Sequence, residues 1–321
     1  MKYRLIVTLL AAAVTGGICL AQTNEPAPQT FPVPPQGFDQ VRQDIEKGKV
    51  ERVEYDAPAL AADLKRWMEV YTPPGYSKDK KYPVLYLIHG AGQNERAWVD
   101  SGHANVVLDN LIADKKIVPM IVVFPNGDAT IPGAGGGARG AGDAATNGPG
   151  AGPGGAAGRG AGGRGGRGGG MNFTAFETDL LKDMIPYVES HYSVSADAQH
   201  RALAGLSLGG MQTRTIAPAN ADKFSYVGVF SGGNIMPENI TDMGTFKKNV
   251  KLVYMSFGSR ESSAPRGGGT APSGPEGIKL AADALNKAGV KADYYVSPNS
   301  AHDFTSWKRS LYFFSQMLFR D

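Results

Sequence analysis

Cysteine is almost absent from this sequence: one residue in 321, Cys19, which lies near the N-terminus. With the first 21 residues removed no thiol remains. That excludes disulfides, thiolate zinc sites and a cysteine nucleophile. Long apolar runs are equally scarce. Leu5–Val14 is too short to span a bilayer comfortably, and no later run approaches the roughly 20 apolar residues of a membrane helix. Charge of one sign is lacking too. The 33 basic and 30 acidic side chains leave +3, which argues for neither a nucleic-acid nor an anionic-membrane partner. Even this surplus is local. Lys2 and Arg4 carry +2, and Arg139, Arg159, Arg164 and Arg167 against Asp143 carry +3, which together exceed the total, so the remaining chain is slightly acidic.

Residues 1–21 read as a secretory signal peptide. Lys2 and Arg4 form the charged start, Leu5–Val14 the apolar stretch, and Ala21 precedes a plausible cleavage point at Gln22. Lipidation of Cys19 would want a small residue before it, and Ile18 stands there. The expected location is therefore secreted or periplasmic. An exported chain without disulfides needs a core large enough to be stable without them. Residues 22–47 read as an N-terminal linker, rich in Pro, Gln and Thr over 22–38, and residues 48–321 as one domain.

Within that domain, continuous apolar runs recur. After Val50–Tyr55 and Trp67–Tyr71 come Val84–Ile88, Met120–Phe124, Arg201–Ala204, Tyr226–Phe230, Leu252–Phe257 and Asp293–Val296. Runs of this length fit parallel strands buried on both faces. Helical patterns alternate with them at Asn105–Ala113, Thr174–Ser190, Gly209–Ala219, Gly277–Ala288 and Thr305–Phe319. Thr174 and Glu177 have the spacing of a capping box. The alternation predicts an α/β fold, with one mostly parallel central sheet and helices on both faces.

Residues 131–170 break the rhythm. They hold 20 glycines, and Ile131 is their only large apolar residue. Such a segment cannot bury enough surface to offset its ordering entropy, so it reads as a disordered Gly/Arg-rich insertion. An Arg-Gly pattern can bind RNA, but a solvated loop is the simpler reading, and no nucleic-acid partner is expected. Residues 262–277 form a shorter Pro/Gly/Ser-rich loop.

Gly205-Leu206-Ser207-Leu208-Gly209 is a Gly-x-Ser-x-Gly motif between the strand Arg201–Ala204 and a helix expected to open at Gly210. Strand, sharp turn and helix in that order make a nucleophile elbow. The flanking glycines remove side chains that would clash, and the helix N-terminus favours developing negative charge. A serine needs a base to attack an ester at neutral pH. Of His89, His103, His191, His200 and His302, only His302 follows Ser207, in a loop after the strand that ends near Val296. Chain order Ser, acid, His then places the acid between them. Glu261, just past the strand Leu252–Phe257, is the first choice, with Glu238, Asp242 and Glu276 as rivals. Asp303 is too close in sequence to His302 to reach its ring easily.

A tetrahedral intermediate also needs preorganised donors. The Leu208 N–H is one. The other should come from His89-Gly90-Ala91-Gly92 after the strand Val84–Ile88, with Ala91 N–H the choice and its neighbours open. His89 reads as a packed, hydrogen-bonded residue. Trp98 and Trp307 flank these loops. An aromatic face at a site mouth can stack on a sugar or a phenolic ring, and core packing is an equal alternative for each. No metal or organic cofactor is required.

With these residues in place, the sequence resembles the esterase D-like α/β hydrolases, and within them the feruloyl and acetyl xylan esterases of carbohydrate esterase family 1. The resemblance spans about Gly48 to Phe319 outside the two loops. It rests on Val70–Tyr76 leading to Tyr82–Gly90, Asp109–Ala113, Gly205–Gly210, Phe230-Ser231-Gly232-Gly233 and His302-Asp303-Phe304-Thr305-Ser306-Trp307. It implies an α/β-hydrolase catalytic domain, with Ser207 as nucleophile, His302 as base and the loop Gly258–Glu261 as source of the acid. Family members often carry Asp where Glu261 stands, and the insertion 131–170 has no counterpart in the family pattern. The implied function is a secreted serine esterase cleaving acetyl or feruloyl esters of plant cell-wall polysaccharide. Related members act on siderophore esters, mycolyl groups or S-formylglutathione. A carbohydrate-binding relative without turnover is the reading from another class.

Overall fold

In the computed structural model, residues 31–129, 173–261 and 274–320 are described. They belong to one unit, Phe31–Asp321. The expected signal peptide 1–21, the insertion 131–170 and most of the loop 262–277 lie outside the described residues.

Eight strands form one sheet. They are β1 (Lys49–Asp56), β2 (Lys65–Thr72), β3 (Val84–Ile88), β4 (Ile121–Pro125), β5 (Arg201–Leu206), β6 (Tyr226–Phe230), β7 (Leu252–Gly258) and β8 (Ala292–Ser297), in the order β1-β2-β4-β3-β5-β6-β7-β8. The pairs β1–β2 and β2–β4 are antiparallel, and every later pair is parallel. Every residue of β3 to β7 is buried. This is why their sequences read as unbroken apolar runs: helices cover both faces. Along β3, Val84, Tyr86 and Ile88 enter one core layer, and Leu85 and Leu87 enter the other, as the two-residue period of a strand requires.

The helices are α1 (Ala97–Asp100), α2 (Ala104–Ala113), α3 (Thr174–Asp179), α4 (Ile185–His191), α5 (Leu208–Ala219), α6 (Met243–Asn249), α7 (Gly274–Lys287) and α8 (Phe304–Ser315). Apolar residues of α3, α4, α5 and α7 fill the first layer, and those of α1, α2 and α8 fill the second. The chain runs from β3 outward to β4 and then back across to β5. Strand order therefore reverses beside β5, and crevices at the carboxyl ends of strands form at such switch points.

Three expectations need correction. Residues 31–47 are not a free linker. Phe31 packs edge-on against Tyr295, Phe38 does the same against Tyr312, and Asn110 Nδ2 donates to the Phe38 and Gln40 carbonyls. Aromatic side chains let a Pro-rich segment bury area without regular structure. The helix expected over Thr174–Ser190 is interrupted by a π-helical turn at Leu180–Met184. Phe173, not Thr174, is the N-cap residue, and Glu177 accepts a hydrogen bond from Asn220 Nδ2 across the fold, so the expected capping box does not form. Finally, α5 opens at Leu208, two residues before Gly210.

The π-helical turn follows a buried ion pair. Asp179 is fully buried and accepts from Arg66 Nε at 2.9 Å and Tyr55 Oη at 2.8 Å. Arg66 also donates to the Asn126 and Asp128 carbonyls after β4. One guanidinium thus ties the chain after β4 to helix α3. Removing one member leaves an uncompensated buried charge. Asp179→Ala is therefore expected to lower unfolding free energy by about 3–5 kcal/mol, read by chemical denaturation at neutral pH. A loss below about 1 kcal/mol, the scale of an exposed pair, would show that this ion pair does not hold the fold.

Candidate active site

The motif around Ser207 forms the strand-to-helix turn that its glycines anticipate. Ser207 has φ 51° and ψ −113°, a region unfavourable to a residue with a side chain. The turn persists because its surroundings are tight. A Cβ on Gly205 would lie 2.4 Å from the Gly209 carbonyl carbon, and one on Gly209 would lie 2.4 Å from the His89 carbonyl oxygen. The Ser207 N–H donates to the Phe230 carbonyl of β6 at 2.8 Å. Ser207 is thereby held at the carboxyl end of β5, with its oxygen at the start of α5.

Three side chains remote in sequence meet there. His302 Nε2 lies 2.8 Å from Ser207 Oγ, and His302 Nδ1 lies 2.7 Å from Glu261 Oε2. The other carboxylate oxygen, Glu261 Oε1, accepts from Ser231 Oγ at 2.6 Å and from the Gly258 N–H at 2.7 Å. The Glu261 side chain is 1% exposed and that of His302 is 28% exposed. The carboxylate is thus withdrawn from water while one edge of the ring remains accessible. With Nδ1–H donating to Glu261, Nε2 is left as an acceptor for the serine proton. The arrangement can move that proton to the ring as Oγ attacks a carbonyl carbon.

The rival acids are elsewhere. Asp242 caps α6 through the Thr245 N–H, and Asp303 caps α8 through the Thr305 and Ser306 N–H groups. Glu238 and Glu276 are exposed.

The expected oxyanion donors come from two segments, the start of α5 and the loop after β3. Leu208 is the first residue of α5, so its N–H has no acceptor within the helix. In the loop after β3, the Gly90 N–H donates to Gln93 Oε1 at 2.8 Å. That occupies the Gly90 N–H, while Ala91 and Gly92 of the same loop are both exposed. Gly90 itself fits closely, since a Cβ there would lie 3.3 Å from the Ser207 Cβ. His89 is buried. Its Nε2 accepts from the Gly127 N–H at 2.9 Å, so its Nδ1 carries the proton and donates to the Gly90 carbonyl at 2.8 Å. His89 therefore joins the loop after β3 to the loop after β4.

Neither tryptophan offers a face to a substrate. Trp98 is 0% exposed; its Nε1 donates to the Ile88 carbonyl, and its ring meets Phe230 and Phe304 edge-on. Trp307 is 5% exposed; its Nε1 donates to Ser231 Oγ at 3.0 Å, and its ring lies edge-on to His302 at 5.1 Å. The expectation of stacking platforms is corrected for both. Each indole N–H needs a buried partner, and those partners lie inside the fold.

Sequence reasoning missed Ser231. It receives the Trp307 N–H and passes its own proton to Glu261, which makes a chain from Trp307 through Ser231 to the carboxylate. The available signal was Ser231-Gly232-Gly233 directly after a buried parallel strand. Among the described residues, no group of three or more His, Asp or Glu side chains is placed to hold a metal ion. No helix among them is long and apolar enough to cross a membrane.

Sheet order, elbow and relay together define an α/β-hydrolase fold carrying a serine-centred site. The chain belongs to the Esterase family, whose model matches residues 61–151 and 162–313. It is 35% identical over 297 residues to an endo-1,4-beta-xylanase/feruloyl esterase of Xylanibacter ruminicola, an alignment covering 90% of this chain and 34% of that protein. The chain thus spans about a third of the length of that relative. Its fold is similar to that of a CE1 ferulic acid esterase from Anaeromyces mucronatus in complex with ferulic acid. That match has a TM-score of 0.65 and 20% identity, and covers 89% of this chain and 96% of the other. A mutant of the feruloyl esterase module from Clostridium thermocellum, complexed with sinapinate, matches with a TM-score of 0.60 and 18% identity, covering 91% of this chain and 94% of that module.

Proposed function

We propose that this protein is a secreted or periplasmic serine esterase that hydrolyses acetyl or feruloyl esters on plant cell-wall polysaccharide. The observation that carries the reading is the continuous relay Ser207 Oγ–His302 Nε2 and His302 Nδ1–Glu261 Oε2, with contacts of 2.8 and 2.7 Å. Ser207 attacks the ester carbonyl and His302 takes its proton. Leu208 and Ala91 N–H groups receive the oxyanion. His302 then gives the proton to the departing sugar oxygen, leaving an acyl-enzyme. Water, deprotonated by His302, attacks that acyl group; the acyl–Oγ bond then breaks, the carboxylic acid leaves, and His302 returns the proton to Ser207 Oγ. Glu261 keeps the ring in the productive tautomer and stabilises the imidazolium. The substrate class is supported by the similarity to a xylanase/feruloyl esterase, and export by the pattern of Lys2, Arg4 and Leu5–Val14.

The test is a substrate panel with active-site labelling. The purified protein is offered methyl ferulate, acetylated xylan and a simple acyl thioester, and a fluorophosphonate adduct is mapped by peptide mass spectrometry. Release of ferulate or acetate, with the adduct on the peptide containing Ser207, is the expected result. An unlabelled Ser207 would overturn the mechanism, and turnover confined to the thioester would overturn the substrate class.

A further inference from the structure

Helix α5 carries a second polar group that the relay does not use. Arg214 follows Ser207 by seven residues and lies in the second turn of α5, about 10 Å along the axis from the elbow. Helical side chains lean toward the N-terminus, so its guanidinium leans toward the N-terminal end of α5. There it packs against the loop after β6. A Cβ on Gly233 would lie 3.2 to 3.3 Å from the Nε, Cδ and Cζ atoms of Arg214, and Gly233 has φ 101°. Glycine at this position keeps that edge of the guanidinium uncrowded. The same loop carries Ser231, which holds Glu261. Arg214 therefore packs against the same loop that supplies Ser231 to Glu261.

The other partly or fully buried arginines are occupied. Arg66 binds Asp179 and two carbonyls; Arg201 binds Glu189 and the Lys223 and Ala196 carbonyls; Arg309 binds Ser297 Oγ and the Pro298 carbonyl. Arg214 differs. Its Nε is buried without a hydrogen-bond partner, and among the described residues no carboxylate pairs with it. Burial lowers its pKa with no charged neighbour opposing the shift. Arg214 as a whole is only half-buried, but its Nε is withdrawn from water with no counter-charge beside it, and supplying a counter-charge to such a cation has a large effect. A neutral sugar hydroxyl could fill the hydrogen bond but would leave the charge. A carboxylate answers both, and its planar geometry matches the guanidinium fork.

Resting on the esterase reading, we propose that Arg214 is a specificity-determining residue that binds a carboxylate on the substrate. The preferred substrate is then an acylated polysaccharide segment that bears an acidic sugar close to the ester. The acid strengthens binding through the Arg214 guanidinium, while the chemistry remains with Ser207.

The test reads binding, so it does not depend on turnover. The Ser207→Ala protein is titrated calorimetrically with a uronic-acid-substituted xylo-oligosaccharide and with its carboxyl-reduced, neutral counterpart. The acidic ligand is expected to bind about 10- to 100-fold more tightly, the range of a charged hydrogen-bonded pair. Adding Arg214→Gln is expected to bring the two dissociation constants within about twofold, and Arg214→Lys to restore part of the preference because it keeps the charge. Equal affinities in the Ser207→Ala protein, or a preference that survives Arg214→Gln, would overturn the proposal. No binding of either ligand would overturn it as well. Failure of the wild-type protein to hydrolyse any ester is a separate result that bears on the esterase reading alone.

Discussion

Ser207→Ala is expected to lower turnover of p-nitrophenyl acetate by about 10³-fold or more, with the circular dichroism spectrum and melting temperature close to wild type. The size of the loss follows from what is removed. Alanine keeps the Cβ that the elbow already accommodates, so the backbone at φ 51° is no more strained than before. Only the oxygen that His302 Nε2 approaches at 2.8 Å disappears. Without it no acyl-enzyme forms, and residual hydrolysis rests on water attack assisted by the donors that remain. Steady-state rates at saturating substrate, with an active-site titration of the wild type, provide the measurement. A variant within tenfold of wild type would mean that another group carries the chemistry.

The second large effect is expected at Glu261. Glu261→Gln should lower kcat/KM by about 10³- to 10⁴-fold. Ser231 Oγ and the Gly258 N–H both point protons at Oε1, so a glutamine is held with its carbonyl oxygen there. Its amide nitrogen then faces His302 Nδ1. A donor in that place forces the ring into the tautomer that carries its proton on Nε2, and such a ring cannot accept from Ser207. The negative charge that stabilises the imidazolium is lost at the same time. Glu261→Asp keeps the charge but shortens the reach by one methylene, so it is expected to retain more activity than the amide. Equal activities for the Gln and Asp variants would show that charge and tautomer at this position do not govern the rate, and near-wild-type kcat/KM in the Gln variant would remove Glu261 from the mechanism.

Much of the scaffold was legible in the sequence. Runs such as Val84–Ile88 and Tyr226–Phe230 are apolar at every position because both faces of their strands are covered, and this property is written locally. Boundaries moved by a residue or two where hydrogen bonds, not side-chain polarity, set the end: Met120 proved to precede β4, and Leu208 joined α5. The stretch Thr174–Ser190 was harder. Its polar residues Asp179 and Glu177 look like helix-surface residues, yet Asp179 turns inward to Arg66 and Glu177 takes a partner from α5. Nothing in the local pattern announces a partner that is over a hundred residues away for Asp179 and 43 away for Glu177.

The site divides in the same way. Ser207 stands out because its requirement is local: a serine on a tight turn between strand and helix needs glycines beside it, and the motif displays them. His302 stands out by elimination, as no other histidine follows the serine. The acid was one of several carboxylates on loops of similar composition, and distance to the ring separates Glu261 from Asp242 and Asp303, which are engaged as helix caps. Trp98 and Trp307 misled because an aromatic residue near a catalytic loop has the same letter whether it faces solvent or core.

The sequence by itself determined the layered α/β architecture and singled out the serine turn, since both depend on residue chemistry over a few neighbouring positions. It took the folded chain to show which carboxylate meets His302, that Ser231 and Trp307 support that carboxylate from behind, and that Arg214 packs on the β6 loop with its Nε unpartnered. Each of these is a through-space contact between segments far apart in the chain, where geometry and desolvation, not local pattern, select the partner.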